Sequence, residues 1–216
     1  ENHDHHKGRF PHSRGASAEQ REQFPQFLAG LPLALSRDDL RVVHAAWHPA
    51  SLLALAADAG TQPLTDIYRE YGRRAEQWAQ ESALKYAAGD EYRRWNAQLD
   101  DEQASVPLLP AIGRMDEHFQ MSNPVRVLTS GMEQLASRTF YASGKWRMVE
   151  RVAWWDDYHD PTPVIFGHYW RWSGREAQQR FSRGEPDLFA GLAANRWLGP
   201  RANAFCVDFS VGVRYR

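Results

Sequence analysis

The sequence predicts an α/β fold with an α+β layered arrangement, and three observations lead to that prediction. Short runs rich in β-branched and aromatic residues occur near both ends of the chain. A charged block with helical periodicity lies between them. The chain has 216 residues, 43% of them hydrophobic, which is enough for one sizeable domain with a buried core. We therefore expect strands from both ends of the chain to form sheets, with helices packed against them.

The N-terminal quarter predicts one helix and a pair of strands, after a polar loop at the start of the chain. Residues 18–29 predict a helix because Ser17 is a favourable N-cap, and Pro25 is expected to break or bend it. Residues 31–35 and 40–47 are apolar runs separated by a polar turn. They predict two adjacent strands, such as a hairpin.

The central block predicts helices more clearly than any other part of the sequence. Apolar side chains recur at helical spacing across residues 64–99, with charged side chains between them. Thr65 or Asp66 is expected to cap the first helix. The pair Gly89-Asp90 is expected to divide the block into two helices.

The second half returns to strand-like composition. The pair Ser143-Gly144 offers a turn between two β-rich runs and predicts a hairpin. Further strands are expected at residues 125–128, 147–155, 164–168 and 205–209, and helices at residues 175–183 and 186–195.

Composition excludes several classes of function. Acidic and basic residues number 27 and 26, so the chain lacks the positive charge of a general nucleic-acid binder. Cys206 is the only cysteine, which excludes an internal disulfide framework and predicts a reducing compartment, the cytoplasm. No apolar stretch approaches the roughly 20 residues that cross a bilayer, so no membrane partner is expected.

The nine tryptophans are unusually many for this length, and they have two interpretations. Aromatic side chains pack cores and also line ligand clefts. We expect core or interface packing for most of the clustered ones, which are Trp146, Trp154, Trp155, Trp170 and Trp172.

Two histidines stand where predicted strands end. His44 follows Leu40-Arg41-Val42-Val43, and His168 follows Pro163-Val164-Ile165-Phe166-Gly167. Imidazole is the commonest protein ligand for transition metals, so the two histidines predict a metal site if the strands are neighbours. Asn2-His3-Asp4, at the start of the chain, offers an amide oxygen as a further ligand. Each histidine taken alone also suits a structural role, and the first residues also suit a solvated His-rich tail.

Taken in order, these strings resemble the calcineurin-like metallophosphoesterase superfamily. Asn2-His3-Asp4 is similar to its Gly-Asn-His-Asp motif, Val43-His44-Ala45-Ala46 to its lone-histidine string, and Phe166-Gly167-His168-Tyr169-Trp170 to its Gly-His string. Val207-Asp208-Phe209-Ser210 resembles the closing strand. The bacterial phosphoprotein phosphatases and symmetrical dinucleoside-tetraphosphatases are the branch most similar to the chain.

The resemblance implies a single metallophosphoesterase domain over residues 1–216, built as a two-sheet sandwich flanked by helices. Residues 64–104 would then be a helical insert, either a cap over the active site or an interaction surface. The motifs Asp-x-His and Gly-Asp-x-x-Asp-Arg-Gly are absent from the 216 residues, Glu1 replaces a glycine, and Trp170 replaces a second histidine. We therefore expect an N-terminally incomplete domain that needs the missing N-terminal segment, and a fragment that is inactive alone.

The resemblance also implies the ligands and the acid of the site. The complete protein would hold two divalent transition metal ions, Mn, Fe or Zn. Asn2, His44 and His168 would bind the second ion, together with a bridging aspartate outside this sequence. His3 would protonate the leaving oxygen, a role that suits an imidazole with a pKa near 6.5.

Other polar residues are expected to support that chemistry. Asp208 is a candidate to accept the second N–H of a ligand histidine, and Asp4 is an acidic neighbour for His3. Arg126 and Arg171 are the candidates to bind substrate phosphate, with Lys145 as a further cation. A solvated surface charge or an ordinary strand-end aspartate is the alternative interpretation of each.

The expected function is metal-dependent hydrolysis of a phosphoric ester, with a phosphoprotein or a dinucleoside polyphosphate as substrate. Two alternatives remain open. The first is a noncatalytic binding protein that keeps the fold. The second is a mononuclear metal protein that uses only the ligands in this sequence.

Overall fold

The protein is mixed α/β in a computed structural model that describes residues 15–58, 60, 62–172 and 186–209. Those residues form the helices α1 Ala18–Ala29, α2 Pro49–Asp58, α3 Leu64–Glu81, α4 Leu84–Leu99, α5 Pro110–Met121 and α6 Pro124–Ser130. They form the strands β1 Ala34–Ser36, β2 Arg41–Val43, β3 Glu133–Ala142, β4 Lys145–Arg151, β5 Val164–Phe166 and β6 Ala204–Cys206. A 3₁₀ helix at Trp154–Asp157 follows β4.

Two small sheets organise the described residues. The four-stranded sheet has the order β1-β2-β5-β6, in which β1 and β2 are antiparallel and β2, β5 and β6 are mutually parallel. The second sheet is the β3–β4 hairpin. Because β2, β5 and β6 are parallel, their carboxyl ends lie at one edge of the sheet. The implied two-sheet sandwich stays a prediction.

Both predicted hairpins are confirmed. β1 pairs with β2 through Ala34–Val43 and Ser36–Arg41, although both strands are shorter than predicted. In the second hairpin, Ser143 and Gly144 adopt the left-handed conformation that a tight turn needs.

The predicted helix at residues 18–29 is confirmed with its N-terminus. Ser17 accepts a hydrogen bond from the Gln20 amide, and the Gln20 side chain accepts one from the Ser17 amide, which completes a capping box. Pro25 lies within the continuous helix, so the break is wrong, and the alternative of a bend at Pro25 stays a prediction.

The two central helices are confirmed, but their boundary and cap differ from the prediction. The break falls at Ser82, whose backbone is extended, and the Ser82 hydroxyl accepts a hydrogen bond from the Leu84 amide. Gly89 lies inside α4. Pro63 precedes the first turn of α3, and no side chain among the described residues caps that turn, so the predicted cap at Thr65 or Asp66 is wrong.

The strand predicted at residues 125–128 is wrong, because this segment is α6. The Asn123 side chain accepts hydrogen bonds from the amides of Val125 and Arg126, and Pro124 occupies the first helical turn. These N-terminal signals outweigh the strand preference of the valines.

Three other predictions in the second half have mixed outcomes. The strand predicted at residues 147–155 ends at Arg151, and residues 186–195 contain turns instead of a helix. The helix predicted at residues 175–183 lies outside the described residues.

An aromatic core packs against the four-stranded sheet. Trp155 stacks on Phe166 and Phe189, with ring centroids 5.1 Å apart in each pair, and contacts Tyr169 edge to face. Trp154 and Trp155 are buried, which confirms core packing for these two tryptophans. The core fixes β5 and the turn that follows it.

A second cluster joins α4, α5 and the β3–β4 hairpin. The carboxylate of Glu91 on α4 accepts hydrogen bonds from the amides of Ala111 and Ile112, in the first turn of α5. The central helical block therefore packs against α5. None of the helices among the described residues combines the length and apolar composition needed to cross a membrane.

Candidate metal centre

His44 and His168 lie side by side at the carboxyl edge of the parallel strands. His44 directly follows β2, and His168 follows β5 by two residues. The Gly167 amide donates a hydrogen bond to the His44 carbonyl at 2.9 Å, which ties the two turns together. The imidazole rings have centroids 5.4 Å apart and planes inclined at 50°. The sequence prediction that brings these two histidines together is consistent with this geometry.

The separation of the rings fits two ligands of one ion. A transition metal binds imidazole nitrogen at about 2.0–2.1 Å, which places the ring centres of two ligands on a tetrahedral ion about 5 Å apart. The observed 5.4 Å is close to that value. His44 is exposed and His168 is half-buried, so the pair is accessible to an ion from solvent.

The turn that carries His168 has a strained backbone. His168 and Trp170 both have positive φ angles, 65° and 46°, which residues with a side chain rarely adopt. Between them Tyr169 is buried, and its hydroxyl accepts a hydrogen bond from the Met132 amide. Arg151 Nη1 donates to the His168 carbonyl at 3.1 Å. These contacts hold the backbone of the turn in place despite the strain.

Arg151 is a site residue that sequence reasoning missed. It is the last residue of β4, in the other sheet, and its guanidinium also lies over the Tyr169 ring at 5.7 Å. No motif marks it, because only the packing of the hairpin brings it to the turn.

The surroundings of His168 keep its ring neutral. Burial, followed by the charges of Arg151 and His44, lowers the pKa of His168 to about 4, against the opposing effect of Asp208. The ring therefore carries no charge near neutral pH and has a nitrogen lone pair, the form that binds a metal.

Asp208 lies at the same edge, two residues after β6. A methyl group added at Gly167 would lie 3.6 Å from the Asp208 Cβ, so the two residues are in close contact. The Asp208 carbonyl accepts a hydrogen bond from the Arg171 amide at 2.7 Å. Its predicted role as acceptor for a ligand histidine stays a prediction.

The first residues of the chain lie outside the described residues. They include the predicted third ligand Asn2, the predicted acid His3 and its acidic neighbour Asp4. Within the described part of the chain, no group of three or more His, Cys, Asp or Glu side chains is arranged to hold a metal ion. Of the predicted ligands, the described residues include the imidazoles of His44 and His168.

The two candidate phosphate-binding arginines have different surroundings. Arg126 is half-buried, and its Nε donates to the Tyr68 hydroxyl on α3 at 3.2 Å. Arg171 is only 1% exposed, and its Nη2 donates to the carbonyls of Ala193 and Arg196 at 2.6 and 2.8 Å.

The rings of Phe189, Phe205 and Phe209 surround the Arg171 guanidinium at 5.2–5.6 Å. Such enclosure favours a packing role for Arg171 over contact with a substrate in solvent. Lys145 is exposed at the opposite end of β4 from Arg151.

Comparison with protein-family models, with curated proteins and with solved structures finds no match.

Proposed function

We propose that this chain supplies the second-metal half of a dinuclear centre that hydrolyses phosphoric esters. The observation that carries the proposal is the pair His44 and His168, with ring centroids 5.4 Å apart just beyond the carboxyl ends of two adjacent parallel strands. The order of Asn2-His3-Asp4, His44 and Gly167-His168 along the chain adds the resemblance to metallophosphoesterases.

Each residue has a distinct task in this proposal. His44 and His168 would hold the second ion through imidazole nitrogens, and Asn2 would add its amide oxygen. Two bound divalent ions, Mn, Fe or Zn, would supply the charge that activates water and neutralises phosphate oxygens. His3 donates a proton to the leaving oxygen, and Asp4 orients it.

The environment of the imidazole pair supports ligand geometry. Arg151 holds the backbone carbonyl of His168, and Asp208 adjoins the Gly167 turn, so the backbone that carries His168 is positioned before an ion binds. The proposed substrate is a phosphoprotein or a dinucleoside polyphosphate in the cytoplasm. In this proposal, the remaining ligands and the phosphate-binding arginine come from an N-terminal segment of the same two-sheet domain, and residues 64–104 are either a cap over the site or an interaction surface.

Hydrolysis is tested on the protein encoded by the complete open reading frame. We expect Mn²⁺-dependent cleavage of an aryl phosphate, a phosphopeptide or diadenosine tetraphosphate. His3→Ala should lower kcat by about 10²–10⁴-fold and leave the metal content unchanged, because it removes a proton donor only. His44→Ala and His168→Ala should each lower both kcat and the metal content. His159 is exposed, and His159→Ala serves as the matched control.

Two results would reject this proposal. Stoichiometric metal without hydrolysis of any of the three substrates would indicate a mononuclear metal protein. A protein without metal would leave a noncatalytic binding role.

A further inference from the structure

Helix α1 carries an apolar stripe that is exposed to solvent. Four apolar side chains recur at intervals of three and four residues, which places them on one side of the helix. They are Phe24, Phe27, Leu28 and Leu31. The Leu31 amide donates to the Leu28 carbonyl at 3.1 Å, so the helical turn extends to Leu31. All 12 residues of α1 are exposed, although an apolar stripe of this width ordinarily faces a core or a partner.

The exposed apolar surface is large for a single helix. Leu35 of the edge strand β1 adds a fifth apolar side chain, and the five are 44–65% exposed. Taking about 150–200 Å² for each side chain, they expose roughly 400–550 Å². Apolar patches of that size on soluble proteins commonly mark interaction sites.

The order of side chains along the stripe is self-complementary. In an antiparallel pair of α1 helices, a two-fold axis that passes between Phe27 and Leu28 sets each Phe27 against Leu28 of the second copy. The same axis sets each Phe24 against Leu31 of the second copy. Each aromatic ring therefore meets an aliphatic side chain, and each contact occurs twice, as in any isologous interface.

The area also fits a dimer. Two such surfaces in contact would remove roughly 800–1,100 Å² of apolar surface from water. Specific interfaces bury about 1,200–2,000 Å² in total, of which about 56–65% is apolar. The apolar area of the stripe and Leu35, doubled, therefore matches the apolar share of a specific interface.

The charges of α1 favour the antiparallel pair over a lipid surface. Glu19 and Glu22 lie in its N-terminal half, and Arg21 is its one basic residue. An antiparallel pair keeps the glutamates of the two copies at opposite ends, whereas a parallel pair would bring these like charges together. Helices that lie on membranes are instead rich in Lys and Arg on the polar face.

We propose that α1 is a dimerisation helix, whose apolar stripe packs against α1 of a second copy of this chain in antiparallel orientation. The stripe contains no residue of the candidate metal centre, so the proposal is independent of the phosphoester chemistry. For an interface at the lower end of the specific size range, the expected Kd is on the order of 1 μM.

The test is sedimentation equilibrium of the intact chain, from about one tenth to one hundred times the expected Kd. We expect a reversible equilibrium between monomer and dimer. Phe27→Asp places a charge at the centre of the stripe and should weaken the dimer by at least about a hundredfold. Gln26→Asp is the matched control, because it adds the same charge on the opposite side of the helix. Its Kd should stay within about threefold of the wild-type value.

A mixing experiment tests the antiparallel register. Leu28→Lys should weaken the dimer as Phe27→Asp does. Because residues 27 and 28 face each other across the axis, a mixture of the two variants brings the introduced carboxylate next to the introduced ammonium group. The mixture should associate at least about tenfold more tightly than either variant alone. Circular dichroism establishes that each variant is folded.

Several results would overturn the proposal. They are a monomer at about one hundred times the expected Kd, assembly beyond two copies, a dimer that Phe27→Asp leaves intact, and a mixture that associates no better than its components. Two further results would identify another occupant of the stripe. Binding of a monomeric chain to phosphatidylcholine vesicles, lost in Phe27→Asp, would indicate a lipid surface. A monomeric complete protein with α1 amides protected from hydrogen exchange would indicate another segment of the same polypeptide.

Discussion

At the scale of single residues, His168 differs from an ordinary structural histidine. Both ring nitrogens of His118 are engaged, with the Ala75 carbonyl at 3.2 Å and the Ser122 hydroxyl at 3.0 Å, and its ring stacks on Trp78. His168 instead has a left-handed backbone, a carbonyl held by Arg151 and a ring beside His44. Backbone strain at a chemically active side chain is typical of functional sites.

The thiol of Cys206 provides a prediction at the same scale. Burial raises the pKa of Cys206 from 9.0 to about 11, and the residue, the last of β6, is fully buried. The reactive thiolate should thus be about a hundredfold scarcer in the native protein than in the unfolded chain at pH 8. Alkylation followed by mass spectrometry should proceed at least that much more slowly before denaturation than after it.

An equal rate of alkylation in the native and denatured protein would contradict the burial and the raised pKa of Cys206. Cys206→Ala should abolish labelling in both states, which would show that the labelled residue is Cys206.

At the scale of elements, substituting alanine at two helical glycines should change the free energy of unfolding in opposite directions. A Cβ at Gly113 in α5 would clash with Leu135 Cδ1 and would lie 2.8 Å from the Met148 carbonyl oxygen, so the close approach of helix and hairpin needs glycine. Gly113→Ala should lower the free energy of unfolding by about 1–3 kcal/mol, as overpacking does. Chemical denaturation measures this change.

Gly72 in α3 is the matched control. A Cβ there would meet no atom within 4 Å, so Gly72→Ala should raise the free energy of unfolding by about 0.5–1 kcal/mol through helix propensity. If both substitutions stabilised the protein, that result would contradict the close packing of α5 against the hairpin at Gly113.

Elements were predictable where local signals agree and unpredictable where they compete. The capping box at Ser17 and the Ser143-Gly144 turn specify their structures locally, and both appear as expected. At residues 125–128 the valines favour a strand, but the cap at Asn123 starts a helix. The sequence predicts a break at Gly89, yet α4 is continuous through it.

In the candidate site, too, some features could be predicted from local sequence and others could not. The end of an apolar strand places a histidine at a sheet edge, so the meeting of His44 and His168 could be predicted from sequence. The role of Arg151 could not be predicted, because its hydrogen bond to the His168 carbonyl depends on how the hairpin packs against the turn. The enclosure of Arg171 by three phenylalanines likewise depends on segments far apart in sequence.

At the scale of the whole molecule, the parallel pairing of β2 with β5 creates the candidate centre. Arg41 pairs with Val164 and Val42 with Ile165, and the central helices and the hairpin lie between these strands in the sequence. The two imidazoles therefore meet only after the sheet has formed. An ion that binds both is expected to stabilise the folded chain, because the unfolded chain offers no such pair.

The central claim is that one metal ion contacts both His44 and His168. Electron spin-echo envelope modulation of bound Mn²⁺ counts imidazole nitrogens at the ion directly. We predict two coupled imidazoles in the wild-type protein, one in His44→Ala and one in His168→Ala, with two retained in His159→Ala. A bound ion with no coupled imidazole, or a count that neither substitution changes, would contradict the account.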